Sequence, residues 1–410
     1  MKNLILLLLL APLITIAQEQ GMHFEHSLNW KEVQAKAKAE NKYIFMDCLT
    51  TWCGPCKFMS ANIFSQPAVG ELYNSKFINV KVQLDTTAGD AEEIKKWYQD
   101  GHDIAKQYEI RAYPTYLIFD PNGNIVHRFV GSSDENTFLK NGVNSLDPVK
   151  QYYTQLNKYK AGQKDPIFLK NLALISMNAY DMKNASLISE AYLLTQTDLY
   201  TKENLEFIDK FTQTSKDKGF ALLVNNAEKV NALLGKGKAE AKVLGIIMQE
   251  EAYPIVFKRG VEPNWALLSN NLNTKYPKYA EEVLGKSKVM YFQNKGDWNS
   301  FATEIVAYMT KYGDKANESE LNSYAWTVFE NCKDITCVAQ ALEWSKRSFQ
   351  DKENHMFIDT YANILHKLGK TKDAIVWEKK ALALAKSEEE KKPYLETISK
   401  MEKGEKTWKE

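Results

Sequence analysis

Short apolar runs alternate with amphipathic segments in the first third of the chain. Residues 43–49 form an almost continuous apolar run, which is typical of a buried central strand, and residues 76–84 predict a second strand. Residues 30–41 carry apolar side chains at helical spacing, which predicts a helix that covers the sheet. Two further runs, 116–120 and 125–130, predict a hairpin because a Pro-Asn-Gly-Asn turn sequence separates them. The pattern therefore predicts an α/β domain.

The stretch from residue 85 to residue 108 has a helical pattern of its own. It predicts a helix that carries Trp97 and Tyr98, ends at Gly101 and is followed by a helix capped by Asp103. The two aromatic side chains either border a substrate groove or pack over an exposed edge of the sheet. The sequence leaves both interpretations open.

The pattern changes after Pro148, where strand signals disappear and amphipathic helices continue to the C-terminus. Near the end of the chain, small residues recur 33 positions apart, close to the period of about 34 residues of tetratricopeptide repeats. Residues 322–386 therefore resemble two tetratricopeptide-like repeats. The recurring pairs are Ala341 with Ala374 and Ser348 with Ala381.

These patterns divide the chain into four predicted parts. Residues 1–17 are predicted to be a signal peptide, 18–147 the α/β domain, 148–320 a helical domain and 321–410 a region of tetratricopeptide-like helical repeats. A helical solenoid usually presents a concave face to a peptide or protein, so we expect such a partner. The alternative is that the helices only pack against the α/β domain and stabilise it.

The N-terminus has the features of a secretory signal. A short segment with one lysine precedes an apolar run that ends in Thr15-Ile16-Ala17, so we expect cleavage before Gln18 and a periplasmic or otherwise exported protein. The apolar run is too short for a spanning helix, and no cysteine follows it to suggest a lipoprotein. An uncleaved membrane anchor is the alternative.

Composition narrows the function classes. The chain has 410 residues, is 44% hydrophobic and carries a formal net charge of +1. This length and apolar content allow two or more domains with substantial cores. The near-neutral charge gives no electrostatic case for nucleic-acid binding. Five cysteines are an odd number for a disulfide framework, so we expect at least one free or reactive thiol.

The segment Thr51-Trp52-Cys53-Gly54-Pro55-Cys56-Lys57 places two thiols three positions apart, between the central strand and a predicted helix. A cysteine at a helix N-terminus faces unpaired N–H groups and the positive end of the helix dipole, so its thiolate is favoured. Cys53 is therefore the predicted attacking thiol. Cys56, one helical turn further on, is predicted to resolve the mixed disulfide.

Asp47 lies within the otherwise apolar central strand, where burial of an unpaired carboxylate is costly and raises its pKa. We interpret Asp47 as the proton acceptor for Cys56. A zinc site is the alternative interpretation of the two thiols, but zinc usually needs four ligands. The other close cysteine pair, Cys332 and Cys337, lies far along the chain, so we expect neither a metal nor a cofactor.

Several separated features show that residues 30–131 resemble the thioredoxin family. The active-site strand and turn match at Asp47 and from Trp52 to Lys57, and the segment Ile110-Arg111-Ala112-Tyr113-Pro114-Thr115 matches the second family signature. The resemblance implies a thioredoxin fold with a central mixed sheet and flanking helices. The helix before the central strand is most similar to that of periplasmic thioredoxin-like proteins related to the C-terminal domain of thiol:disulfide interchange proteins.

The resemblance also implies a substrate groove beside the cysteine pair. The peptide bond before Pro114 is expected to be cis, and the backbone around Tyr113 is expected to offer an edge to an extended substrate. Gly131 matches the glycine at the rim of the family's groove. The residues expected to contact substrate are Trp52, Gly54, Pro55, Tyr113, Pro114 and Thr115.

The sequence thus predicts a thiol:disulfide oxidoreductase of the cell envelope. Gly54 and Pro55 between the cysteines resemble thioredoxin itself, which favours reduction of disulfides in exported proteins, with a membrane thiol:disulfide carrier as electron donor. The alternatives are a disulfide oxidase or isomerase, and a non-catalytic scaffold in which the helices hold partners.

The remaining cysteines have separate interpretations. Cys48 is predicted to be a small buried hydrophobic residue, with a regulatory thiol as the alternative. Cys332 and Cys337 lie between predicted helices, where a local disulfide and two buried thiols are both compatible with the sequence.

Overall fold

The computed structural model describes residues 21–408, and the predicted signal peptide lies outside them. The chain divides into two compact units, Met1–Leu199 and Tyr200–Glu410. Among the described helices, none combines the length and apolar content that a membrane crossing requires.

The first unit contains a mixed four-stranded sheet with the order β2-β1-β3-β4. The strands are β1 (Tyr43–Leu49), β2 (Phe77–Gln83), β3 (Thr115–Phe119) and β4 (Ile125–Val130). β1 pairs in parallel with β2 and antiparallel with β3, and β3 pairs antiparallel with β4. The predicted strands and hairpin are confirmed.

The helices of the first unit lie on both faces and beyond the last strand. They are α1 (Trp30–Glu40), α2 (Gly54–Phe58), α3 (Pro67–Lys76), α4 (Glu92–Lys95), α5 (Tyr98–Gln107), α6 (Glu135–Ser145), α7 (Tyr152–Lys160), α8 (Pro166–Asn178) and α9 (Met182–Leu193). A π-helical turn, Met59–Ile63, continues α2. α1 begins with a capping box between Asn29 and Glu32, because each side chain bonds the other residue's backbone N–H.

Side chains that alternate along the strands build two separate apolar clusters. Met46 and Cys48 of β1 point to the face covered by α1 and α5. Phe45 points to the opposite face, where Tyr73 of α3 and Phe138 of α6 pack against it. Because side chains alternate between faces in a strand, Asp47 belongs to the Phe45 face.

One prediction for residues 85–108 is wrong. Gly101 does not end a helix, since α5 continues from Tyr98 through Gly101 and Asp103 to Gln107. Gly101 is buried, and a Cβ there would lie 3.1 Å from Val82 and 3.3 Å from Leu84. The glycine therefore allows α5 to approach β2, which is a packing role that the sequence pattern does not distinguish from a helix stop.

Contacts continue past residue 147, where the sequence pattern places the end of the α/β domain. The backbone N–H of Tyr152 in α7 donates to His127 Nδ1 in β4 at 2.9 Å. The Tyr152 hydroxyl donates to Asp181 Oδ2 at 2.7 Å, directly before α9. These bonds join α7 to the sheet edge and to the next helices of the same unit.

Every secondary-structure element in the described part of the second unit is helical, as predicted. Consecutive helices pack on one another near the C-terminus, and the small residues Ala341, Ala374 and Ala381 are fully buried there. The helices are α10 (Lys202–Phe211), α11 (Lys218–Asn225), α12 (Ala227–Leu234), α13 (Lys238–Ile247), α14 (Tyr253–Val256), α15 (Trp265–Lys275), α16 (Ala280–Lys295), α17 (Trp298–Tyr312), α18 (Glu318–Asn331), α19 (Ile335–Ser348), α20 (His355–Lys367), α21 (Thr371–Leu384) and α22 (Glu388–Glu402). A π-helical turn (Met248–Ala252) follows α13, and a 3-10 turn (Gly313–Lys315) follows α17.

Candidate active site

The two cysteines stand where β1 gives way to α2. Cys53 is the N-cap of α2, and its Sγ accepts a hydrogen bond from the Cys56 N–H at 3.1 Å. Pro55 lies in the first turn, where the helix leaves its N–H without an intrahelical partner. Cys53 and Cys56 are joined by a disulfide, with their Cα atoms 5.3 Å apart. The sequence prediction of strand, cysteine pair and helix is confirmed.

The surroundings of the disulfide are exposed and aromatic on one side. Trp52 is 69% exposed, and Gly54 and Pro55 are exposed beside it. The ring of Trp52 meets the ring of Tyr113 edge to face, with centroids 5.6 Å apart. These residues together form an accessible apolar border next to the cysteines.

The segment before β3 faces the same region. The Tyr113–Pro114 peptide bond is cis, as the resemblance implies. The carbonyl of Pro114 accepts a hydrogen bond from the Gly131 N–H at 2.9 Å, so that carbonyl is already paired within the domain. The hydroxyl of Thr115 is buried and donates to the carbonyl of Ala112 at 2.8 Å. The Thr115 side chain therefore points inward, and the residue as a whole is fully buried between β1 and β4.

Asp47 is buried beneath the active-site helix. Its side chain is 1% exposed, and Oδ1 has no hydrogen-bond partner among the described residues. Burial raises the pKa of Asp47 from 3.8 to about 7, and the positive charge of Lys81 offsets part of this effect. The carboxyl group is therefore poised to exchange a proton near neutral pH.

Lys81 is a site residue that the sequence analysis missed. The parallel register of β1 and β2 places it opposite Asp47, and burial lowers its pKa. Its Nζ donates to Ser60 Oγ at 2.9 Å, four residues beyond Cys56, and lies 4.6 Å from the ring of Phe24. The available signal was a lysine inside the apolar run of β2.

Lys81 also lines two cavities on the same edge of the sheet. One has a volume of about 310 Å³ and includes Leu49 and Trp97 in its wall. The other, of about 370 Å³, is bounded by Phe24 and Ser60. The side chain of Lys81 therefore stands between the buried carboxyl of Asp47 and space that solvent can enter.

Asp85 holds the loop before the cysteines. The backbone N–H of Thr51 donates to Asp85 Oδ1 at 2.9 Å, and the Thr51 hydroxyl donates to Oδ2. This pairing ties the loop after β1 to the residues that follow β2. The sequence analysis did not identify it, because Thr51 and Asp85 are far apart along the chain.

Trp97 is part of the core. It is 4% exposed, packs in the cluster under α1, and its Nε1–H donates to the carbonyl of Leu28 at 3.0 Å. The hydroxyl of Tyr98 donates to Asp90 Oδ2 at 2.6 Å. These contacts favour the interpretation in which the two aromatic residues pack over the sheet edge.

The remaining cysteines are unpaired thiols and buried. Burial raises the pKa of Cys48 well above its usual range, which agrees with a small hydrophobic residue. Cys332 and Cys337 lie in the second unit and carry no disulfide. Within residues 21–408, no three His, Cys, Asp or Glu side chains are grouped so that they could hold a metal ion.

A helix-capping disulfide on a mixed sheet, opposite a cis-proline, defines a thioredoxin-like domain of the thiol–disulfide oxidoreductase type. The sequence model described as a thioredoxin-like domain matches residues 30–142. The chain is 31% identical to thioredoxin H-type of Fagopyrum esculentum, over 28% of this chain and 84% of that protein. It is 30% identical to thioredoxin H4 of Arabidopsis thaliana, over 30% of this chain and 92% of that protein. The chain therefore belongs to the thioredoxin family.

A further relative is the thiol:disulfide interchange protein DsbD of Pseudomonas fluorescens, with 28% identity over 25% of this chain. This chain covers only 16% of that protein. Among solved structures, a thioredoxin from Thermus thermophilus is 24% identical to this chain, and the aligned region spans 28% of this chain and 85% of that thioredoxin, with a TM-score of 0.23. A tetratricopeptide repeat protein from Parabacteroides merdae is 14% identical, and the aligned region spans 63% of this chain and 95% of that protein, with a TM-score of 0.23. These low scores support no conclusion beyond those drawn above.

Proposed function

We propose that this protein is a thiol–disulfide oxidoreductase of the cell envelope that reduces disulfides in exported proteins. The observation that carries the proposal is the Cys53–Cys56 disulfide at the start of α2, on the sheet face that also holds the buried Asp47. The geometry combines a nucleophile at a helix end, a resolving thiol and a proton acceptor.

In the first step, the reduced enzyme presents Cys53 as a thiolate. The Cys56 N–H and the helix N-terminus stabilise the negative charge on Cys53 Sγ. The thiolate attacks one sulfur of the client disulfide and displaces the other sulfur as a thiolate, which then takes a proton. The product is a mixed disulfide between Cys53 and the client.

In the second step, Asp47 accepts the thiol proton of Cys56. A pKa of about 7 lets the carboxyl group take this proton and return it to solvent at neutral pH. Lys81 partly balances the charge of Asp47 and reaches the cavities that connect this region to solvent. The Cys56 thiolate then attacks Cys53 Sγ, releases the reduced client and leaves the disulfide that the structure contains.

The client is held in an extended conformation beside the cysteines. Because the Pro114 carbonyl is already bonded to Gly131, we expect the client backbone to pair with Tyr113. Trp52, Gly54 and Pro55 contact the apolar side chains next to the client cysteine. The buried Pro114 and Thr115 contribute by shaping this edge through their backbone.

The cellular setting of the proposal rests on the N-terminal sequence and on the relatives. The apolar segment before Gln18 favours export, and one relative is named a thiol:disulfide interchange protein. Gly54 and Pro55 favour the reducing direction, which requires electrons from a membrane thiol:disulfide carrier. The C-terminal helices are proposed to bind a peptide or protein partner.

The test is turnover of a disulfide substrate together with the reduction potential of the Cys53–Cys56 pair. Insulin reduction should be lost in Cys53→Ser, whereas Cys56→Ser should accumulate a mixed disulfide that denaturing gels resolve. Cys48→Ala is the matched control, because it removes a buried thiol on the opposite face of the sheet and should leave turnover intact.

The potential distinguishes the direction of the reaction. A value near that of thioredoxin, about −270 mV, supports a reductase, whereas a value near about −120 mV makes the protein a disulfide donor. Full cellular complementation by a protein that lacks both Cys53 and Cys56 would contradict the enzyme and favour a scaffold.

A further inference from the structure

The second unit contains another pair of neighbouring thiols. Cys332 caps the end of α18, and its N–H donates to the carbonyl of Val328. Cys337 lies in the first turn of α19. Both side chains are 2% exposed and belong to the apolar cluster of the C-terminal helices, while residues 333–336 between them are all exposed.

The two thiols lie at the facing ends of consecutive helices, within one apolar cluster, and each shifts the pKa of the other. A hydrogen bond from the Cys337 thiol to Cys332 lowers the pKa of Cys332 and raises that of Cys337. Cys332 is therefore the sulfur that carries negative charge more easily. Cys48 differs from these two cysteines, because it is a single buried thiol within the sheet.

A lysine supplies positive charge to this pair. Lys367 of α20 acts electrostatically on both sulfurs and lowers the pKa of each, while Asp334 raises both. The Lys367 ammonium donates to the carbonyl of Phe329 and lies 5.5 Å from the rings of Phe329 and Trp408. These contacts hold the cation among aromatic rings beside the two thiols, where burial lowers the pKa of Lys367 and its charge favours a nearby thiolate.

We propose that Cys332 and Cys337 form a second redox pair, which closes to an intramolecular disulfide by exchange with a low-molecular-weight disulfide. Cys332 is the attacking sulfur and Cys337 the resolving one. Lys367 is a positioning residue that stabilises the Cys332 thiolate. The proposal does not depend on the Cys53–Cys56 pair.

The exchange with the small disulfide takes place in two steps. The Cys332 thiolate attacks one sulfur of the small disulfide, breaks its S–S bond and displaces one thiolate. Cys337 then attacks Cys332 Sγ and displaces the second thiolate, and the protons of the two cysteines pass to the two leaving groups. Two electrons move from the cysteine pair to the small disulfide, which becomes two thiols. Reduced thiol in excess reverses the reaction.

The experiment uses the full chain with Cys53→Ser and Cys56→Ser, so that only Cys48, Cys332 and Cys337 remain as thiols. The protein is equilibrated with mixtures of reduced and oxidised glutathione, quenched in acid, unfolded and alkylated, and its intact mass is measured. In reduced glutathione we expect three alkyl groups. In oxidised glutathione we expect one alkyl group, with a digest that links residues 332 and 337.

Two outcomes would overturn the proposal. One is three alkyl groups in every glutathione mixture, and the other is a stable glutathione adduct without the internal link. Adding Cys337→Ser is the matched control, because it removes the resolving sulfur and should leave either a free thiol or a glutathione adduct on Cys332. The first pair is absent from all these proteins, so failure here leaves the proposed reductase unaffected, and failure of the reductase leaves this result unaffected.

The role of Lys367 has its own readout. In the same background, Lys367→Gln should slow disulfide closure at neutral pH by about threefold and shift the pH dependence of the rate to higher pH, because less of Cys332 is ionised while each thiolate is more nucleophilic. Lys367→Arg keeps the charge and should restore most of the rate. Circular dichroism confirms that each variant is folded. If Lys367→Gln is folded and its pH profile is unchanged, the lysine has no part in the exchange.

Discussion

Replacement of Asp47 by asparagine removes the only charge of β1 and keeps the size of the side chain. The carboxyl group is buried, Oδ1 lacks a hydrogen-bond partner among the described residues, and burial raises its pKa to about 7. The charged form of Asp47 therefore destabilises the folded domain. An uncharged amide avoids this cost.

The sign and size of the effect follow from proton linkage. Between pH 4 and pH 7 the unfolded chain has released this proton while the folded domain still holds it, so the contribution of Asp47 to stability falls as pH rises through this window. The difference between 3.8 and about 7 corresponds to about 4 kcal/mol once both states are deprotonated. We therefore expect Asp47→Asn to be more stable than the wild type at pH 8 by up to about 4 kcal/mol. Below pH 4 the two proteins should be nearly equal.

Hydrogen-exchange mass spectrometry on the oxidised full chain measures this effect locally. Peptides from β1 and β3 report the free energy of opening of the first unit from pH 5 to pH 9, after correction for intrinsic exchange. Asp90→Asn is the matched control. Hydrogen bonds from Thr87, Tyr98 and Gln83 lower the pKa of Asp90, so its removal should destabilise the protein at neutral pH.

Parallel stability curves for wild type and Asp47→Asn would refute the reasoning, since they would show that Asp47 has an ordinary pKa in the folded protein. A functional measurement accompanies the stability measurement. With the base removed, release of the client from the mixed disulfide should slow by about 100-fold, whereas the first attack by Cys53 should change little.

Three further outcomes follow from the packing and the titratable groups. Because Trp97 is a core residue, Trp97→Ala should destabilise the first unit by about 3–5 kcal/mol in urea unfolding. Insulin turnover per folded molecule should stay unchanged, whereas a selective rise in KM would assign Trp97 to the substrate groove. Gly70→Ala should lower the free energy of unfolding by about 1–3 kcal/mol, since the added Cβ would lie 2.3 Å from the carbonyl oxygen of Gly21. In the control Gly89→Ala, the Cβ meets no atom within 4 Å, so thermal unfolding should be unchanged. Burial lowers the pKa of His127 from 6.5 to about 4, so this group contributes about 3 kcal/mol of stability at pH 7 that is lost as pH drops to 4, opposite in sign to the contribution of Asp47. Hydrogen exchange of β4 peptides should show this contribution as a difference between wild type and His127→Gln that changes by about 3 kcal/mol over that range.

Local sequence was sufficient for the elements and for the cysteine pair. The apolar pattern predicts β1 to β4, because a strand in the interior needs apolar side chains, and the proline at the second position after Cys53 suits the first turn of a helix. The cis bond before Pro114 came from the family resemblance and not from residue spacing. The helical character of the second unit was also evident, because its apolar period is that of a helix throughout.

The structural role of a residue could not be predicted from local sequence where that role depends on contact with a distant residue. Gly101 permits close packing against Val82, yet within its own segment it resembles a helix stop. Thr115 belongs to the family signature of the groove, but its hydroxyl donates a hydrogen bond to the carbonyl of Ala112. Both roles are set by contacts that no local pattern specifies.

The sequence by itself determined that a buried carboxyl would lie near a redox cysteine pair, because Asp47 interrupts an apolar strand that leads to Cys53. Only the tertiary structure decided that Lys81 would balance that carboxyl, and that Lys367 would face the thiols of Cys332 and Cys337. Burial and helix ends are properties of a short segment and its hydrophobic pattern. The electrostatic partner of a buried group depends on strand register and helix packing, which bring together residues from different segments of the chain.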